Sequence, residues 1–339
     1  MSTNLAEIPF DTELRVGAHN AVFVCLRIQP TEKVTLITDR DSKEIAASLV
    51  SELEQCGCTY NAFLLEDLAE RPLLDMPDEI LTDLASSQVS IFAVKAQANE
   101  LKTRMQMCEV VNRNRLRHAH MVNIEKKIMM EGMRADFLKV DELTRRVMGI
   151  VDKARFIRAV TPAGTDIRAD LTTDYKWVRT SGIISCDKWG NLPGGETFTS
   201  PLEVNGTFVV DGVVGDYLCA KFGDLKDTPL TLEVKGNRLT NASSTNKELE
   251  NDFWQYTHRD ENSDRVGEFA IGTNLALNEV VGNILQDEKI PGVHMAFGDP
   301  YGAHTGAKWR SSTHIDVVGR NFDIWADDRQ IMRAGRFLV

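Results

Sequence analysis

From residue 33 onward the chain alternates short β-branched runs with helical stretches, and this alternation constrains the fold more than any other feature of the sequence. Lys33–Thr38 (K-V-T-L-I-T), residues 59–65 and Val89–Val94 read as strands. Residues 41–55 and Asp78–Ala85 read as helices, with Gly57 as the stop of the first. Strands and helices at this interval predict a mostly parallel α/β sheet. None of these strands is followed by G-x-G-x-x-G, which argues against a nucleotide site. Upstream, residues 13–28 carry a helical apolar stripe that Pro30 ends. Downstream, residues 141–154 form an amphipathic helical pattern that closes the first domain.

After residue 154 the texture changes. Residues 154–160 and 167–171 read as strands joined by a tight turn, 206–212 and 230–235 as further strands, and Gly236-Asn237 as a two-residue hairpin signal. Residues 246–256 are a helix candidate. The expected architecture is an α/β N-terminal domain, residues 1–154, followed by an α+β, antiparallel-rich catalytic domain, residues 155–339.

Fifty acidic against thirty-nine basic residues give a formal charge of −11, which argues against a nucleic-acid partner held through phosphates. The longest apolar run near the start, residues 21–25, is far too short to span a membrane, and residues 1–10 lack the pattern of a secretory leader. A cytoplasmic protein with no membrane partner is expected. Six cysteines lie without zinc-site or disulfide-framework spacing. The one concentration of positive charge, N-R-N-R-L-R-H-A-H at 112–120, reads as a solvated helix face or an interdomain surface, with an anion site as the other reading.

The chemistry is concentrated in the second half. His314 and Asp316, in T-H-I-D-V-V, fall two apart on a strand and so point the same way; His294, in V-H-M-A-F, reads as another strand residue. Glu196 and Glu268 each follow a glycine directly, in G-G-E-T and V-G-E-F, where the backbone can approach a bound group closely. Two glutamates, two histidines and an aspartate suit one or two divalent ions.

Four blocks, N-L-P-G-G-E-T-F-T-S-P, R-V-G-E-F-A-I-G-T-N, D-E-K-I-P-G-V-H-M-A-F-G-D-P-Y and S-S-T-H-I-D-V-V, together resemble the signature blocks of the aminopeptidase T family, the M29 metallopeptidases, in the family's order. The resemblance implies that Glu196, Glu268, His294, His314 and Asp316 hold two divalent ions (zinc, cobalt, manganese or magnesium), with Glu268 between them. It implies hydrolysis of the N-terminal residue of a peptide, or of a related small amide; Tyr301, in G-D-P-Y-G after a ligand, is suited to donate to the oxyanion, and Glu268 and Glu288 are the nearest candidates for the general base. A homodimer is the expected assembly.

One departure stands out. The family's acidic residue five positions before the third-block histidine is Lys289 here, with Glu288 one residue further away. Glu288 is retained as a candidate metal ligand; an exposed loop carboxylate is the other reading. The alternative function is a mononuclear iron(II) dioxygenase that opens a hydroxylated pyridine ring, since relatives of this type use two histidines and one carboxylate and the R-N-F-D-I-W-A-D-D tail resembles theirs. Such a triad does not need Glu196 and Glu268.

Overall fold

The computed structural model describes residues 3–97, 99–187 and 189–339, with Asp216 described by its backbone only. The chain divides into two compact units, residues 1–138 with 182–194, and residues 139–181 with 195–339. The division falls earlier than residue 154 because Leu143, Val147 and Val151 of the helix Phe137–Val151 pack into the apolar core of the second unit.

The first unit is α/β. Its sheet runs Thr59–Leu64, Lys33–Thr38, Val89–Val94, Arg117–Val122 and Gly190–Asn191, all parallel. Lys33–Thr38 and Val89–Val94 lie inside the sheet and are buried almost throughout, which is why they read as continuous β-branched runs rather than alternating ones. The helix Lys43–Cys56 ends where expected: Gly57 takes φ 73° and its N–H caps Leu53 and Glu54.

Two sequence expectations change here. The helical stretch before Pro30 is broken into a 3-10 turn (Thr12–Leu14), one α turn (Arg15–His19) and a π turn (Asn20–Cys25). The basic stretch is not one helix face. The helix Leu101–Arg113 stops within it, and a strand begins at Arg117 that buries His118 and His120. Arg117 itself pairs with Glu32 at 2.6 Å.

The second unit is antiparallel-rich α+β. One sheet has eight strands in the order Arg238–Ser244, Leu230–Lys235, Glu203–Val210, Asp166–Asp170, Phe156–Val160, Asp323–Ala326, Arg329–Arg333 and Arg336–Phe337. The hairpin at Gly236-Asn237 forms as expected, both residues taking positive φ. The other sheet has five strands in the order His314–Val318, Gly292–Gly298, Val266–Gly272, Glu196–Thr199 and Val178–Arg179, again antiparallel. One face of this five-stranded sheet is core: Phe269, Ile271, Val293, Met295, Phe297, Ile315 and Val317 all join the main apolar cluster. Residues of opposite parity therefore face the other way.

Candidate metal centre

The strand registers bring the candidate residues together on that other face. Glu268 stands opposite Ala296, and Ala296 opposite Asp316, in one row across three strands. His294 is two residues from Ala296, His314 pairs with Gly298, and Glu196 pairs with Gly272. Between these polar side chains the face carries Ala270, Gly272, Ala296 and Gly298, which leave room above the sheet.

Glu268 reaches this face through a β-bulge. Val266 pairs with Phe297 and lies in the core, while Glu268 pairs with the adjacent Ala296, so Gly267 is an extra residue that reverses the parity. A Cβ on Gly267 would stand 2.6 Å from the Gly298 carbonyl oxygen. At Gly195 (φ 130°) a Cβ would stand 2.7 Å from Asn274 Cβ. Both glycines are thus required by close backbone approach. What approaches is the neighbouring chain, not a bound group as expected from the sequence.

The resulting cluster is buried: Glu196, Glu268 and His294 are each 5% exposed or less. His294 Nε2 lies 3.3 Å from Glu196 Oε2 and 3.6 Å from Glu268 Oε1. His314 Nε2 lies 3.6 Å from Glu268 Oε2 and 3.5 Å from Asp316 Oδ1. The Nδ1–H of His314 donates to the Asp299 carbonyl at 2.9 Å, which turns Nε2 towards the carboxylates. Two donor groups have atoms mutually close enough to hold an ion, Glu196–Glu268–His294 and Glu288–His294–Asp316.

The fit to a cation can be tested on the molecule itself. Glu196 Oε2 and His294 Nε2 are both buried, lie 3.3 Å apart, and neither makes a well-aligned hydrogen bond. A cation between them would satisfy both atoms. The titration behaviour agrees. Burial alone would lower the His294 and His314 pKa values, but the surrounding carboxylates push both up to about 10 in the metal-free chain.

Lys289, which departs from the family pattern, is the cation of the cluster. It is 1% exposed, and its Nζ lies 2.7 Å from Glu196 Oε1 and bonds Glu288 Oε1 as well. Burial would raise the Glu196 pKa, yet Lys289 and His294 hold it well below the usual carboxylate range. Burial instead pushes Glu288 up to about 8, with Asp316 and Glu196 adding to the rise against Lys289. Thr180 Oγ1 donates to Glu196 Oε1 at 2.7 Å. No spacing or composition signal in the sequence marks Thr180 or the Asp299 carbonyl.

All six candidate ligands therefore converge, Glu288 included. Tyr301 follows in a loop, 44% exposed and in the left-handed region at φ 50°, with its ring 4.3 Å from that of His314. Its backbone N–H donates to Asp299 Oδ1 at 3.0 Å, so Asp299 positions both residues.

Residues 127–337 match the thermophilic metalloprotease (M29) family, well over half of the chain. The chain belongs to that family. This M29 chain is 26% identical over 218 residues to the 2,5-dihydroxypyridine 5,6-dioxygenase of Pseudomonas putida, a match covering 59% of the chain and 60% of that protein. Among solved structures, the 2,5-dihydroxypyridine dioxygenase from Pseudomonas putida KT2440 superposes with a TM-score of 0.70 at 16% identity, covering 98% of this chain and 99% of that one. AmpT from Thermus thermophilus gives the same TM-score of 0.70 and 16% identity, covering 98% of this chain and 100% of that one. At such identity both likenesses show the fold that this M29 chain shares. Among the described residues no helix is long and apolar enough to cross a membrane.

Proposed function

We propose that the protein is a metal-dependent aminopeptidase, hydrolysing the N-terminal residue of a peptide or a related small amide. The observation that carries this reading is the position of Glu268, whose two carboxylate oxygens face His294 and His314 separately. Glu196, Glu268, His294, His314 and Asp316 would hold the metal, with Glu288 beside them. A divalent ion bound there lowers the pKa of a coordinated water towards ~7 and polarises a carbonyl.

The chain's own residues supply the rest. Glu268 or Glu288 takes the proton of the attacking water and returns it to the leaving amine. Tyr301, at the exposed edge of the cluster beside His314, donates its hydroxyl hydrogen to the developing oxyanion. The buried carboxylates favour a cationic α-amine, which suits a free N-terminus. A peptide or small-amide substrate, a homodimer and a cytoplasmic location belong to the same proposal.

A second reading is supported by the 26% identity to a 2,5-dihydroxypyridine 5,6-dioxygenase. His294, His314 and Asp316 alone would make a two-histidine, one-carboxylate iron site. Against it stand Glu196 and Glu268, two buried carboxylates that such a triad leaves without a role. The two readings separate in one experiment. Protein reconstituted with zinc, cobalt, manganese or iron(II) is assayed on aminoacyl anilides and, in parallel, for oxygen uptake with 2,5-dihydroxypyridine. Anilide hydrolysis without oxygen uptake is expected; the reverse pattern overturns the peptidase reading.

A further inference from the structure

We propose that Lys289 is a resident cation of the metal centre, occupying carboxylate oxygens that a second divalent ion would need, so that the centre takes up one ion per chain. This rests on the cluster being a metal centre, and it narrows the two-ion expectation drawn from the family resemblance.

Three observations carry it. Lys289 is buried, and its ammonium takes one carboxylate oxygen from each donor group, Glu196 Oε1 and Glu288 Oε1. The two donor groups are not independent, because both use His294. The buried atoms left without a partner in the cluster, Glu196 Oε2 and His294 Nε2, belong to a single donor group, the one completed by Glu268.

A lysine so placed also opposes a second ion by charge. Its stem fixes a positive charge against Glu196 and Glu288, one carboxylate of each donor group. An ion pair serving only to fill the interior would make a different prediction, because replacing the lysine would then change stability and leave the number of ions unchanged.

The test is metal stoichiometry, with the full-length protein equilibrated in manganese or zinc and the bound metal counted by mass spectrometry. Wild type is expected to hold one ion per chain, with any second ion bound at least 100-fold more weakly. Lys289→Glu, which exchanges the cation for a further ligand, is expected to hold two. Lys289→Gln, which removes the charge and keeps a hydrogen-bond donor, should strengthen uptake of a second ion over wild type.

The electron paramagnetic resonance spectrum of manganese-loaded wild type gives the answer without any variant. An isolated six-line signal at saturation agrees with the proposal, and the spectrum of a spin-coupled pair overturns it. Two tightly bound ions in wild type, or one ion in both wild type and Lys289→Glu, also overturn it while leaving the metal-centre reading intact. Wild type that binds no metal overturns both.

Discussion

The backbone carbonyl of Asp299 accepts a hydrogen bond from His314 Nδ1 at 2.9 Å. That bond fixes the ring so that Nε2 faces Glu268 and Asp316, where it could give its lone pair to a bound ion. The Asp299 side chain accepts from the Tyr301 N–H, so one residue orients both a candidate ligand and the candidate oxyanion donor.

Tyr301→Phe removes that hydroxyl and leaves every candidate metal ligand in place. Loss of one oxyanion donor typically costs ~10²–10³ in kcat. Turnover of an aminoacyl anilide should fall by about that factor, with metal content unchanged.

Glu268→Gln keeps the shape of the side chain and removes the charge that faces both histidines. Metal affinity should drop by more than the ~10–100-fold seen when only an outer partner of a ligand is lost. Competition with a fluorescent chelator measures it. Affinity equal to wild type would show that Glu268 is not a ligand.

Gly267→Ala and Gly149→Ala should move stability in opposite directions. A methyl at 267 would stand 2.6 Å from the Gly298 oxygen, and overpacking of this kind costs ~1–3 kcal/mol. At Gly149, inside the helix Phe137–Val151, a Cβ meets nothing within 4 Å, and alanine should stabilise by ~0.4–1 kcal/mol. Urea unfolding reads both, and only Gly267→Ala should also weaken metal binding, because it disturbs the bulge that aims Glu268.

The first unit should lose stability in mild acid. His118 donates to or accepts from Ser90 Oγ at 2.8 Å and contacts His120 at 3.2 Å. Burial lowers the His118 pKa to about 3 and lowers that of His120 as well, so both stay neutral in the folded chain while the unfolded chain takes up protons below its ordinary histidine pKa. Stability is therefore full above ~6.5 and falls as the pH is lowered, by up to ~1.4 kcal/mol per pH unit for each histidine. His118→Gln should flatten the urea midpoint between pH 6.5 and 4.5; an unchanged slope would count against the buried neutral pair.

What the sequence by itself determined is local or chemical. Lys33–Thr38, Asp78–Ala85 and Val89–Val94 form as read, because β-branched runs and the apolar spacing of a helix express preferences that neighbouring residues satisfy. The hairpin at Gly236-Asn237 is similarly a property of two residues that tolerate positive φ. The family resemblance pointed to five of the six carboxylates and imidazoles that converge, and Glu288 was a candidate only as a neighbour of the departing Lys289.

Only the tertiary structure decided how they meet. That Glu196 and Glu268 are buried strand residues depends on the pairing of chain segments far apart in sequence, and the facing of Glu268 on a bulge at Gly267 that leaves no room for a side chain beside the Gly298 carbonyl. The burial of His118 and His120 reflects a strand inside a sheet, not the basic residues around them. Lys289 shows the limit most clearly. A lysine beside a glutamate reads as a surface pair until the fold removes water from both and brings Glu196 within 2.7 Å of its ammonium.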